Sequence, residues 1–394
     1  MMVRNNCVLL LAAAVPLLAD SASARSKGSL LWKRTNGGPG TSGDLIDNAP
    51  AAVDSNGVYF VSEAEDWGVF ALDLKTGEQL WNATHEAAAS ASSPTVLDGS
   101  LFYLLDNGKV QLHSHHAESG KKNWVCELPS ASVNDAPVAG GNGFVYVMLG
   151  SSETDQTNTL HAVDASTGKI SWSTFVDGTP SRPVVANGRL FVSAFDNQQQ
   201  ESSKHSEWSS TTVHAFNAHS GARLWSSANV GNQWATPVVV DGKVLTSAES
   251  SSFFALDAAT GDRLWEATVD GYNGLAPAVE DGRAFLAGAL TSMYAFNVST
   301  GDILWSTDLV DNGHLWSVPS VADGSVYVGG DDGNLHSLDA ATGKVQWKYE
   351  VDPSLAVGSP VVNDGVVYVG ANTPWGVGSP DQLFAVSIEE GRSK

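Results

Sequence analysis

Imidazoles, carboxylates, thiols and a few cations mark where chemistry would reside in these 394 residues. Three histidines crowd together at His113, His115 and His116, a grouping that suits a transition-metal ion. His113, however, falls at a repeated position filled elsewhere by His161, His214 and His336, and by Phe70, Phe254, Tyr294 and Phe384. That reads as a strand position accepting flat side chains, and no metal site is expected. Of the two cysteines, Cys7 lies in the N-terminal segment and Cys126 stands two residues after Trp124. Residues two apart share a strand face, so Cys126 reads as a small buried residue.

A second set lies three positions before each of eight prolines: Asp47, Ala91, Asn134, Pro180, Trp234, Gly274, Trp316 and Val357. Close by are Asn48, Asp135, Arg182, Gln233, Asn273 and His314. No structural rule connects these residue types. Aromatic planes, an arginine, amides and carboxylates gathered in one ring would bind a flat anionic ligand. They would equally well fill a channel mouth by hydrogen-bonding one another.

The elements that must position these residues come from an internal repeat. A glycine is followed four positions later by a tryptophan at Gly28/Trp32, Gly77/Trp81, Gly120/Trp124, Gly168/Trp172, Gly221/Trp225, Gly261/Trp265, Gly301/Trp305 and Gly343/Trp347, at spacings of 40 to 53 residues. Before each turn, a proline opens an apolar run: Pro50, Pro94, Pro137, Pro183, Pro237, Pro277, Pro319 and Pro360. Asp-Gly or Asn-Gly then signals a tight hairpin, at Asp98-Gly99, Asn187-Gly188, Asp241-Gly242, Asp281-Gly282, Asp323-Gly324 and Asp364-Gly365, with Asn56-Gly57 and Asn142-Gly143 as further cases.

Each repeat reads as four antiparallel strands; in the fifth these are 236–240, 243–248, 252–257 and 263–268. Such a unit is a propeller blade, and the chain predicts an all-β, eight-bladed propeller. The last repeat ends before its tryptophan, while Trp32 has no preceding strands. The N-terminal strand is therefore expected to complete the final blade, closing the ring and removing an exposed edge.

The Ala-x-Asp-x-x-Thr-Gly-x-x-x-Trp pattern, seen at 255–265, resembles the tryptophan-docking repeat of pyrroloquinoline quinone (PQQ) dehydrogenases. It is similar, too, to the repeat of the propeller lipoprotein in bacterial outer-membrane protein assembly. The resemblance covers residues 28 to 391 and implies that each repeat tryptophan stacks between adjacent blades. For a quinoprotein dehydrogenase acting on an alcohol or sugar, it implies PQQ and calcium as cofactors. Trp234 or Trp316 would then supply the aromatic plane, Arg182 and Asn134 cofactor contacts, and Asp47 or Asp135 the base. The adjacent cysteine pair of such enzymes is absent, as are a Cys-x-x-Cys-His haem motif and any motif fixing a calcium site.

Composition narrows the function classes. With 43 acidic against 21 basic residues, the net charge is −22, which disfavours nucleic acid and anionic membrane surfaces as partners. Arg4, the apolar run Val8 to Ala19 and the small residues Ala22-Ser23-Ala24 read as a signal peptide, residues 1–24, cleaved after Ala24. Residues 25–394 then form a single secreted propeller in which no disulfide can close. The run is too short to span a bilayer. Asn82 and Asn297 open glycosylation sequons. Two enlarged connections, 196–210 and 372–381, present Trp208 and Trp375, residue types that favour partner contact on loops. The leading expectation is an exported binding or scaffold module acting through one face; the alternative is the quinoprotein dehydrogenase.

Overall fold

A computed structural model describes residues 27–35, 52–62, 68–85, 90–129, 138–150, 157–196, 210–227, 235–248, 251–269, 275–288, 290–311, 313–315, 317–372 and 382–388. These residues form eight antiparallel sheets and no helix. In the fifth, Val238–Val240, Lys243–Ala248, Ser252–Asp257 and Arg263–Thr268 pair in chain order. The first strand of that blade starts two residues later than the apolar run suggests, because Pro237 has no amide proton to enter a ladder.

Ring closure follows the expectation. Ser29–Thr35 pairs with Gln382–Ser387, so the N-terminal strand is the outermost strand of the eighth blade. Between the two inner strands, seven hairpins place both turn residues at positive φ, from Asp98 and Gly99 (48° and 72°) to Asp364 and Gly365 (44° and 75°). Asn56-Gly57 is the exception. There Val53 pairs with Val58 across a four-residue connection. The Asp54 carboxylate accepts the amides of Asn56 and Gly57 at 2.7 and 3.1 Å, so the turn is built on that side chain.

The opposite turn explains the Asp-x-x-Thr-Gly spacing. Asp257 Oδ1 accepts the amides of Ala259 and Thr260 at 2.8 and 2.9 Å, while Gly261 N donates back to the Asp257 carbonyl. Asp73, Asp164 and Asp339 make the same bonds. Gly301, at φ 80°, lies so close under Trp265 that a Cβ would sit 2.7 Å from the indole. The Trp265 Nε1 proton goes to the Val298 carbonyl at 3.0 Å. Equivalent bonds join Trp32, Trp81, Trp124, Trp172, Trp225 and Trp305 to the following blade. Inter-blade packing completes the core; one cluster holds Tyr59, Val69 and Ala71 of the first blade against Leu101 and Tyr103 of the second.

Candidate functional site

A chain that runs from inner to outer strand puts its fourth-to-first and second-to-third connections on one face. Asp331, in the hairpin between Ser325–Gly329 and Asn334–Asp339, shows the two connections meeting. Its Oδ1 accepts the His314 amide at 2.6 Å, Oδ2 lies 3.3 Å from His314 Nδ1, and its own amide donates to the His314 carbonyl. Leu315 N likewise donates to the Leu290 carbonyl at 3.1 Å.

A serine latch fixes the strand that enters each of three blades. Ser317 Oγ accepts the Gly329 amide at 2.8 Å and donates to the Gly329 carbonyl at 3.0 Å. Ser92 and Ser181 accept the amides of Leu104 and Ser193 in the same way. Each latch stands two residues before its proline, which cannot make that bond itself. Sequence reasoning passed over these serines, although their fixed offset from proline was visible.

Several positions proposed for the mouth carry structural contacts. Ala91, Pro180 and Val357 lie in short strands paired with Leu105, Ala194 and Ala371. Arg182, half-buried, sits between the Ser181 latch and Pro183, and His314 is held by Asp331. Asp47, Asn134, Asp135, Trp234 and Trp316 lie outside the described residues, as do Trp208 and Trp375. Among the described residues, no group of three or more Asp, Glu, His or Cys gathers at the mouth to hold calcium. Asp331 is engaged with His314, and Asp332 of the same hairpin with His336. Because Asp47, Asn134, Asp135, Trp234 and Trp316 lie outside the described residues, no step through a PQQ–calcium centre is derived.

The two enlarged connections open from strand ends on this same side. Asp196 pairs with Ser210, and Ala371 with Gln382, so residues 197–209 and 373–381 each leave and re-enter one hairpin, in the fourth and eighth blades. The histidines sort differently from their spacing. His116 is exposed and reaches Ser119 Oγ at 3.3 Å, while His113 and His115 are buried between the first two blades beside His85. The Asp332 carboxylate oxygens lie 3.2 Å from Nε2 of the buried His336. Burial opposes ionisation of Asp332, but His336 and Asn334 outweigh it and hold the carboxyl below its usual range. Cys126 is buried, which pushes its thiol up. Asn297 Oδ1 caps its own turn through Ser299 and Thr300.

This geometry is shared with known proteins. The chain is similar in structure to BamB from Moraxella catarrhalis, at 18% identity, 92% of this chain, 98% of that one and a TM-score of 0.64. The quinohemoprotein alcohol dehydrogenase ADHIIG from Pseudomonas putida HK5 gives 14% identity, 93% and 77% coverage, and a TM-score of 0.66. The computationally designed Ika8 protein gives 15%, 88% and 98%, and 0.67. At such identities these likenesses show the fold alone. Among curated proteins, no significant match to the sequence was found. The profile described as outer membrane protein assembly factor BamB matches residues 21–135, 112–206, 209–314 and 292–394, and by that span the chain belongs to this family of PQQ-like repeat propellers.

Proposed function

We propose that the protein is an exported binding scaffold, engaging a protein or extracellular ligand through the connection face, with Trp208 and Trp375 as contact residues. The observation that carries this reading is that both enlarged connections open from hairpin ends on the side where His314 meets Asp331. Membership in a family described by an outer membrane assembly factor supports a protein as the bound partner. The net charge of −22 favours a partner other than nucleic acid. Export rests on residues 1–24, and N-terminal sequencing of the secreted chain should begin at Arg25.

The test is chemical crosslinking of the chain to its partners in the native host, repeated with a Trp208→Ser, Trp375→Ser double variant. The variant should lose the crosslinked species while keeping the wild-type melting temperature. Unchanged crosslinking would remove the contact surface from this reading. Calorimetric titration with PQQ, with and without calcium, separates the dehydrogenase: micromolar, calcium-dependent binding would replace the scaffold reading with catalysis.

A further inference from the structure

Four polar side chains meet in the interface between the first and second blades, three of them at repeat positions that neighbouring blades fill with apolar residues. His85 follows the outer strand Gln79–Thr84 of the first blade, four residues after Trp81. The equivalents in other described repeats are Leu128, Val176, Val269, Leu309 and Val351. His115 replaces Leu72, Val163, Phe216, Leu256, Phe296, Leu338 and Val386. Tyr103 stands where the neighbouring blades carry Phe60 and Val147. His113 shares its position with other histidines, but its cross-strand neighbour differs. His161 and His214 face Ser173 and Ser226 and bond to them at 2.7 and 2.8 Å, whereas His113 faces Val125.

The hydrogen bonds leave one ring nitrogen of His113 and one of His115 without a proton. His115 Nδ1 donates to the Gly120 carbonyl at 2.9 Å, which frees Nε2, found 3.2 Å from the Tyr103 hydroxyl. His113 Nε2 donates to Gln111 Oε1 at 3.3 Å, and its buried Nδ1 has no hydrogen-bond partner among the described residues. His85 Nε2 lies 2.5 Å from the same Tyr103 hydroxyl. One nitrogen from each of the three rings lies within 4.8 Å of the other two. Tetrahedral coordination with bonds of about 2.1 Å sets ligand atoms about 3.4 Å apart, so small rotations of the rings would close the set. Fixing a ligand's tautomer through a backbone carbonyl, as Gly120 does for His115, is a usual outer-shell device.

We propose that His85, His113 and His115 form a binding site for a divalent transition ion of the zinc and copper class, with the Tyr103 hydroxyl as a fourth oxygen donor. Imidazole nitrogens select such ions over calcium and magnesium, which take oxygen ligands. His113 and His115 are 5% and 3% exposed, whereas His85 is only half-buried and gives the ion a way in. Lys122, the nearby cation, is exposed and screened by solvent. The site lies between the first and second blades, whereas the enlarged connections belong to the fourth and eighth, and it stands independently of the binding reading.

The experiment titrates the tag-free chain with Zn²⁺ in a calorimeter, in excess Ca²⁺ to occupy surface carboxylates. Co²⁺ serves as a second probe, for the visible absorption of tetrahedral coordination. The expected result is one Zn²⁺ per chain, weakened at least a hundredfold by His115→Leu and by His113→Phe. Those substitutions install residues that other blades carry at the same positions, so the fold is kept. His85→Ala, beyond a strand end, gives the same loss should either variant misfold, and His161→Phe and His116→Ala leave binding intact. Absence of saturable Zn²⁺ binding would overturn the site, as would binding that survives in His85→Ala and His115→Leu.

Discussion

Trp347 of the seventh blade covers Gly28, the residue just before the N-terminal strand of the eighth. A Cβ on Gly28 would stand 2.9 Å from Trp347 Cε3, and the backbone there is left-handed at φ 75°. The Gly28 amide donates to the Ser387 carbonyl at 2.8 Å. One glycine thus seals the seam between the two ends of the chain. Gly28→Val should cost about 2–3 kcal/mol, combining left-handed strain with overpacking. Urea unfolding checks this, and a wild-type midpoint would mean that the seam closes without that contact.

Trp265→Ala tests the same joint inside the ring. The indole lies over Gly301, meets Phe253 edge-on at 5.3 Å and donates to the Val298 carbonyl. It is half-buried, so the loss should fall near the low end of the range for aromatic truncation, about 3 kcal/mol. A melting temperature unchanged within error excludes the docking role.

Acid should destabilise the ring before its carboxylates titrate. Burial pushes His161 and His214 down to about 4, Arg223 adding to the effect at His214. Each imidazole is neutral when folded and takes a proton near pH 6.5 when unfolded. Its contribution is therefore complete above pH 6.5 and lost as pH falls from there towards 4, by about 3 kcal/mol per histidine. Urea midpoints from pH 7.5 to 4.5 check this, and His161→Phe, His214→Phe should show a clearly shallower acid limb. Equal slopes in the two proteins would contradict the assignment.

Ser317→Ala removes a latch that satisfies both backbone groups of Gly329. A buried amide left unpaired costs about 1–3 kcal/mol. Faster hydrogen exchange at Gly329 than at Val328 is the specific readout; exchange unchanged from wild type would mean that water or a neighbour replaces the hydroxyl.

Much of the fold was legible because it depends on local chemistry repeated eight times. Asp257 and Gly261 specify their turn through hydrogen bonds spanning four residues, and Asp98-Gly99 accepts positive φ wherever it occurs. A tryptophan four positions after each glycine, with nothing preceding Trp32, was sufficient to predict eight blades and the closing strand. Where a competing side chain acts, as Asp54 does beside Asn56-Gly57, the hairpin forms but its turn is a different one.

The histidines mark the limit. Adjacency in sequence pointed to His116, but strand residues one apart face opposite ways, and His116 is exposed. His85 comes from another blade, and only packing of the two sheets brings its ring within 4.8 Å, centroid to centroid, of His113. Local hydrogen bonding and strand periodicity, which the sequence encodes directly, determined the blades. Contact between blades decided which imidazoles meet, because it depends on the distance between sheets and on what faces each ring across the ladder.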